Sequence, residues 1–153
     1  MGTFQNVVEG NMEQLRAGDQ VLRYDRERTR KAYAAIKSSA AEKCGCVFCR
    51  NYTAQHASLF PESFRQLLDL LGVDPEKEVD VHQEFPEGPL WQYGGWFYLT
   101  GELLEAGERL TDCGSGFQYF FRGAGPMSDF GDALVLEFYA RLPWVIGEPP
   151  EWP

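Results

Sequence analysis

The sequence predicts an α+β fold, with N-terminal helices packed on an antiparallel sheet of about four to five strands. Three observations lead there. Apolar residues recur at helical spacing between Pro61 and Leu71, and from Val79 onward the apolar period drops to two. Aromatic residues are abundant, with 11 Phe, 7 Tyr and 4 Trp in 153 residues, which suits one filled face of a pleated sheet. A chain of this length reads as a single domain over residues 1–153, without an internal repeat or an interdomain linker. A fold of this size buries roughly 70% of its unfolded surface, so its stability requires no disulfide or metal.

The elements follow in order. Residues 1–24 are weakly patterned and expected to be loosely ordered, with Gly18-Asp19 interrupting a segment that begins near Asn11. Asp25 suits an N-cap, and the Ala-, Arg- and Lys-rich run to Lys43 reads as helix. Its apolar members Ala32, Tyr33, Ala35 and Ile36 form no wide stripe, so a strand over 31–37 is an alternative. Phe48, Tyr52 and Leu59 suggest a short helix over 47–58. The strongest pattern is Phe64, Leu67, Leu68 and Leu71, at i, i+3, i+4 and i+7 after Pro61. Gly72 stands at the expected C′ position, and Pro75 blocks continuation.

Val79, Val81 and Phe85 alternate with Asp80, His82 and Glu84, as in a half-buried strand. Two further strands, 90–93 and 96–103, flank Gly94-Gly95, which reads as a hairpin turn. Residues 117–122 and 134–142 supply two more, separated by a loop over 123–132. Residues 147–153, with three prolines, form an irregular tail in which Trp152, like Trp144, is flanked by proline and suits a cover over a sheet edge or pocket mouth. The aromatics Trp91, Tyr93, Trp96, Phe97 and Tyr98 are expected to supply core before they line a groove.

Net charge is −9 but unevenly spread. Residues 23–50 carry eight basic side chains against three acidic ones, whereas residues 51–153 carry five against 17. The acidic bulk argues against general nucleic-acid binding, because phosphate contacts dominate that affinity. The basic segment reads as a solvated face, or as a surface that docks on the acidic remainder or on a second copy in a homo-oligomer. No apolar run approaches the roughly 20 residues that span a bilayer. The start MGTFQNVVEG lacks the basic and apolar regions of a signal peptide. Met1-Gly2 is followed by Asn6 rather than the Ser or Thr of a myristoylation signal. A cytoplasmic setting is therefore expected, where neighbouring thiols are reduced, metal-bound or redox-active more often than locked in structural disulfides.

The chemistry concentrates at Cys44, Cys46 and Cys49, three thiols within six residues, with Cys113 far downstream. Zinc takes deprotonated sulfur ligands in a tetrahedron, and short spacings supply two of them from one turn. A fourth ligand would come from Cys113, or from His82 if the fold brings it near; His56, about 10 Å of helical rise beyond Cys49, is an awkward donor. The same thiols allow a second reading, a thiol-dependent enzyme using Cys46 or Cys49. These two have CxxC spacing near a helix start, with Lys43 and Arg50 beside them to favour a thiolate. A third reading is that the cysteines only fill core. Asp80, His82 and Glu84 project from one strand face and form a further candidate group for a hard metal or acid–base work, or simply its wet side. No G-x-S-x-G, H-E-x-x-H or Walker A motif is present. The Gly-rich 123–132 stretch lacks a lysine and carries Asp129 and Asp132, which would repel a phosphate.

With those residues in view, the chain resembles an uncharacterised family of small bacterial proteins with a CxCxxCRNY motif. The resemblance rests on Cys44-Gly45-Cys46 with Cys49-Arg50-Asn51-Tyr52, then Leu71-Gly72-Val73-Asp74-Pro75, Tyr93-Gly94-Gly95-Trp96, and Leu142-Pro143-Trp144-Val145 with Glu148-Pro149. It covers about residues 44–150 and implies a bacterial source and a single domain, but no substrate. The expectation is a small binding or interaction protein, its partner a protein or small molecule, with a structural zinc at the cysteine cluster.

Overall fold

The computed structural model describes residues 4–9, as backbone, and 12–151. Met1-Gly2, Asn11, Trp152 and the final proline of the tail lie outside the described residues. Three strands come first: β1 (Phe4–Glu9), β2 (Met12–Ala17) and β3 (Gln20–Tyr24). Five helices follow: α1 (Arg26–Ala34), α2 (Ala40–Cys44), α3 (Val47–Ala54), α4 (His56–Leu59) and α5 (Glu62–Leu71). Five more strands complete the order: β4 (Asp80–Glu87), β5 (Leu90–Glu105), β6 (Thr111–Gly114), β7 (Phe117–Met127) and β8 (Gly131–Pro143).

The combination of helices and an antiparallel sheet is as expected, but its arrangement differs from helices placed before four to five strands. Seven strands run in the order β1-β2-β3-β5-β8-β7-β6, and an eighth, β4, pairs with β5 beside that path. Strand β5 organises the whole. Along one edge it pairs with β8 through residues 90–100; along the other it pairs first with β4 and then with β3. Residues 12–24 thus form a paired and buried hairpin, with Leu15, Leu22 and Tyr24 fully inside. Gly18-Asp19, which interrupts the pattern, is its turn, and Gly18 takes φ 62°.

The sheet curls. Strands β3 and β7 are three places apart, which on a flat sheet would separate them by about 14 Å. Instead the fully buried Gln20 of β3 donates to the Phe121 carbonyl of β7 at 2.7 Å and accepts from the Phe121 N–H at 2.8 Å. It also donates to the Ala106 carbonyl. The turn of the β2–β3 hairpin is thereby tied to the far end of the sheet, where Asp19 accepts from the Glu108 N–H.

Helix α5 forms as its spacing predicts. Phe64, Leu67, Leu68 and Leu71 are all buried, each contributing about 2 kcal/mol by leaving water. Gly72, at φ 82°, donates to the Asp69 carbonyl, and Val73 donates to that of Leu68, which closes the helix in a Schellman motif. The Phe60 and Phe64 rings meet Phe97, Phe117 and Phe138 from β5, β7 and β8 at centroid separations of 4.8–6.5 Å. That aromatic layer fixes the helices on the sheet.

Four expectations are corrected. The helix from Asp25 divides: Asp25 caps α1, but Ser39 starts α2, its hydroxyl accepting from the Glu42 N–H and donating to the Glu42 carboxylate. The short helix over 47–58 is interrupted at Gln55, giving α3 and α4. Gly94 and Gly95 are no turn but the middle of β5. A Cβ on Gly94 would lie 2.7 Å from His82 Nε2, and one on Gly95 2.6 Å from the Asp80 carbonyl and the Phe138 ring, so these glycines serve close approach. The hairpin turn is at Gly88-Pro89. The supposed loop over 123–132 is mostly strand, since β7 continues to Met127 past a bulge at Gly123–Gly125 and turns back into β8.

Candidate metal centre

The cysteine cluster lies where α2 ends and α3 begins. Cys44 is the last residue of α2, and Gly45 caps that helix in the left-handed conformation at φ 65°. No atom would obstruct a Cβ there, so this φ is the reason for glycine. Cys46 is the N-cap of α3, its sulfur accepting the Cys49 N–H at 3.4 Å. Cys49 lies one turn into α3. The αL residue reverses the chain between two helix ends, so side chains two and five positions apart point into one space. The three Sγ atoms all lie within 4.8 Å of one another. Cys44 and Cys46 are exposed and Cys49 is buried. Arg50 holds the turn by donating to the Gly45 carbonyl and pairing with Glu148.

This geometry can hold a metal ion. With sulfur–metal bonds of about 2.3 Å, a tetrahedral site places its sulfurs about 3.8 Å apart, so the cluster needs to contract by only about 1 Å. Its electrostatics already favour one negative charge. Partial burial opposes ionisation of Cys46, but the Cys49 N–H, the Cys44 and Cys49 thiols and the Phe48 N–H outweigh it and hold its pKa below the ordinary value. Burial drives the Cys49 thiol well above its ordinary value, and the sulfurs of Cys46 and Cys44 add to that. A divalent cation would remove the conflict by replacing both protons.

Cys113 is not in this group. It is buried on β6 and lines a cleft of about 400 Å³ with Gln55, Ser58 and Ser115. All four cysteines and both histidines are among the described residues, and the converging group contains only Cys44, Cys46 and Cys49. Asp80, His82 and Glu84 do share one face of β4, but they do not converge on a common point. His82 Nε2 faces Glu84 at 3.4 Å, while Nδ1 faces Asp80 at 4.0 Å on the opposite side. The imidazole lies over Gly94 with Trp96 beside it. Glu137, farther along this sheet face, is already held by Arg122 and Tyr139.

Sequence reasoning missed a polar cluster behind the cysteines. Glu78, in the segment leading to β4, is buried with its side chain only 1% exposed. His56 Nε2 lies 3.5 Å from its Oε2, and neither carboxylate oxygen has a hydrogen bond of ordinary geometry. The Glu78 side chain raises the His56 pKa, burial opposes it, and the Glu78 and Glu76 charges and the Pro75 carbonyl add to the rise. The fully buried Tyr52 ring stacks edge-on to His56, its hydroxyl pushed far up in pKa by burial first and then by Glu78. Cys49 and Tyr52 stand at i and i+3 on α3, and His56 opens α4 just beyond it, a spacing legible in the sequence. Glu78 was not, because Glu76-Lys77-Glu78 reads as a solvated run.

The basic segment meets the acidic remainder inside the chain: Arg23 pairs with Glu102, Arg26 with Asp69 and Arg50 with Glu148. Among the described residues no helix is long and apolar enough to cross a membrane. No family model matches the chain, no curated protein matches it, and no solved structure matches it.

Proposed function

We propose that the protein is a small binding or interaction protein that holds one zinc ion through Cys44, Cys46 and Cys49. The convergence of the three sulfurs within 4.8 Å carries this reading. Thiolates are soft ligands, and zinc and copper(I) are the ions that such a set favours. The ion would tie the end of α2 to the start of α3, a structural clip at a chain reversal. The fourth position would come from outside the three-sulfur group, since neither Cys113 nor either histidine joins it. Two of the three cysteines are exposed, so that position suits a water, a small-molecule ligand or a side chain of a partner protein. A cytoplasmic setting, with reduced thiols, suits such a site. The CxCxxCRNY stretch that carries the resemblance to small bacterial proteins supplies all three sulfurs and also Arg50, which braces their turn.

The test is elemental analysis of freshly purified protein after dialysis against a weak chelator. About one zinc per chain is expected, and its loss in the Cys46→Ser variant with retention in Cys113→Ser would fix the ligand set. A metal-free protein that also fails to take up added zinc would refute the reading.

A further inference from the structure

We propose that Cys46 and Cys49, in the metal-free protein, form a dithiol that exchanges with low-molecular-weight disulfides. The inference rests on the same sulfurs as the zinc reading but does not need the ion. Three geometric observations support it. Cys46 is exposed and sits at the N-cap of an eight-residue helix, its sulfur already accepting the Cys49 N–H at 3.4 Å. That position leaves Cys46 open to solvent at the start of α3, one helical turn from Cys49. Cys49 is buried, so of these two an incoming disulfide meets Cys46 first. The two sulfurs lie within 4.8 Å, and a disulfide needs about 2 Å, a gap that side-chain rotation with a small shift can close.

The Cys46 thiolate attacks one sulfur of the external disulfide. That S–S bond breaks, a mixed disulfide forms on Cys46, and the departing thiolate takes a proton from water. The Cys49 sulfur then attacks the Cys46 sulfur and expels the second thiol, which leaves with the Cys49 proton. Two protein thiols are oxidised to one disulfide, and one external disulfide is reduced to two thiols. Cys44, exposed on the other side of Gly45, is a metal ligand that this exchange does not require. Zinc binding and exchange therefore compete for the same two sulfurs, and oxidation by a disulfide would expel the ion.

The experiment treats the reduced, metal-stripped full chain with oxidised glutathione at neutral pH and follows intact mass. Cys44→Ser, which leaves Cys46 and Cys49 as the two thiols of the cluster, should lose two hydrogens and carry no lasting adduct. In the Cys44→Ser background, Cys49→Ser should stall as the glutathione mixed disulfide, and Cys46→Ser should react at least about 10-fold more slowly. A Cys44→Ser protein that stalls as an adduct, or a Cys44→Ser/Cys46→Ser variant that reacts as fast as Cys44→Ser, would overturn the proposal. Zinc uptake measured on the wild-type chain separates the two readings. Zinc bound without disulfide formation overturns exchange and leaves the clip; disulfide formation in a chain that takes no zinc supports exchange and overturns the clip.

Discussion

Two groups of three metal-ligating residue types stand close in sequence, Cys44-Cys46-Cys49 and Asp80-His82-Glu84, and the fold treats them differently. On β4 the backbone is extended, with a bulge between Gln83 and Phe85, so Asp80, His82 and Glu84 are strung out along the strand. Asp80 and Glu84 therefore reach His82 from opposite sides, each facing a different ring nitrogen. At the α2–α3 junction the backbone reverses through the αL Gly45, and three sulfurs enter one space. Residue type nominates a site, but chain direction decides whether its donors meet.

The difference can be broken most strongly at a sulfur. Cys46→Ser should weaken zinc binding by more than about 100-fold, since it removes a ligand where even supporting contacts are worth 10–100-fold. His82→Ala should leave zinc content unchanged. Metal lost from His82→Ala and kept in Cys46→Ser would reverse the assignment.

The support behind the cysteines comes next. His56→Ala leaves the buried Glu78 carboxylate without its imidazole. A stability loss of about 3 kcal/mol in urea unfolding is expected, at the lower end of the cost of breaking a buried pair because His56 keeps some exposure. On the strand side, Gly95→Ala forces a methyl against the Asp80 carbonyl and the Phe138 ring, with an expected loss of about 2 kcal/mol. Little change there would mean that β4 and β5 can part without consequence. Gly45→Ala tests the reversal itself. A left-handed alanine costs about 1 kcal/mol, and zinc affinity should fall alongside stability.

The smallest effect is a pH dependence. The folded pKa of His56 is raised above its ordinary 6.5. Its stabilisation is therefore fully present below that value and disappears as pH rises through the higher folded value. The difference in Tm between wild type and His56→Ala should narrow as pH rises; a difference that widened would reverse the assigned sign.

Some of this was legible in the sequence, for physical reasons. Helix α5 was, because four apolar residues at helical spacing and a following glycine have one low-energy solution. Asp25 as a cap was, because a cap is local. The cysteine group was legible as a spacing, while its convergence depends on the φ of Gly45. The β2–β3 hairpin is not legible, because its strands are only six and five residues long and mix Glu, Arg and Gln with their apolar positions. Gly94-Gly95 misled because glycine serves a positive φ in turns and close approach in strands, and only the positions of His82, Asp80 and Phe138 distinguish the two. Glu78 was hidden because its burial depends on α2 and α4, far from it in sequence. Its carbonyl accepts the Ala40 N–H and its carboxylate faces His56.

The most direct test of the central claim, that three sulfurs at one chain reversal form a single thiolate site, is a zinc titration of the reduced chain beside its Cys44→Ser, Cys46→Ser, Cys49→Ser and Cys113→Ser variants. One ion per chain, lost or greatly weakened in the first three and unchanged in the fourth, is the predicted result. Binding that survives all of the first three substitutions, or that needs Cys113, would contradict the account.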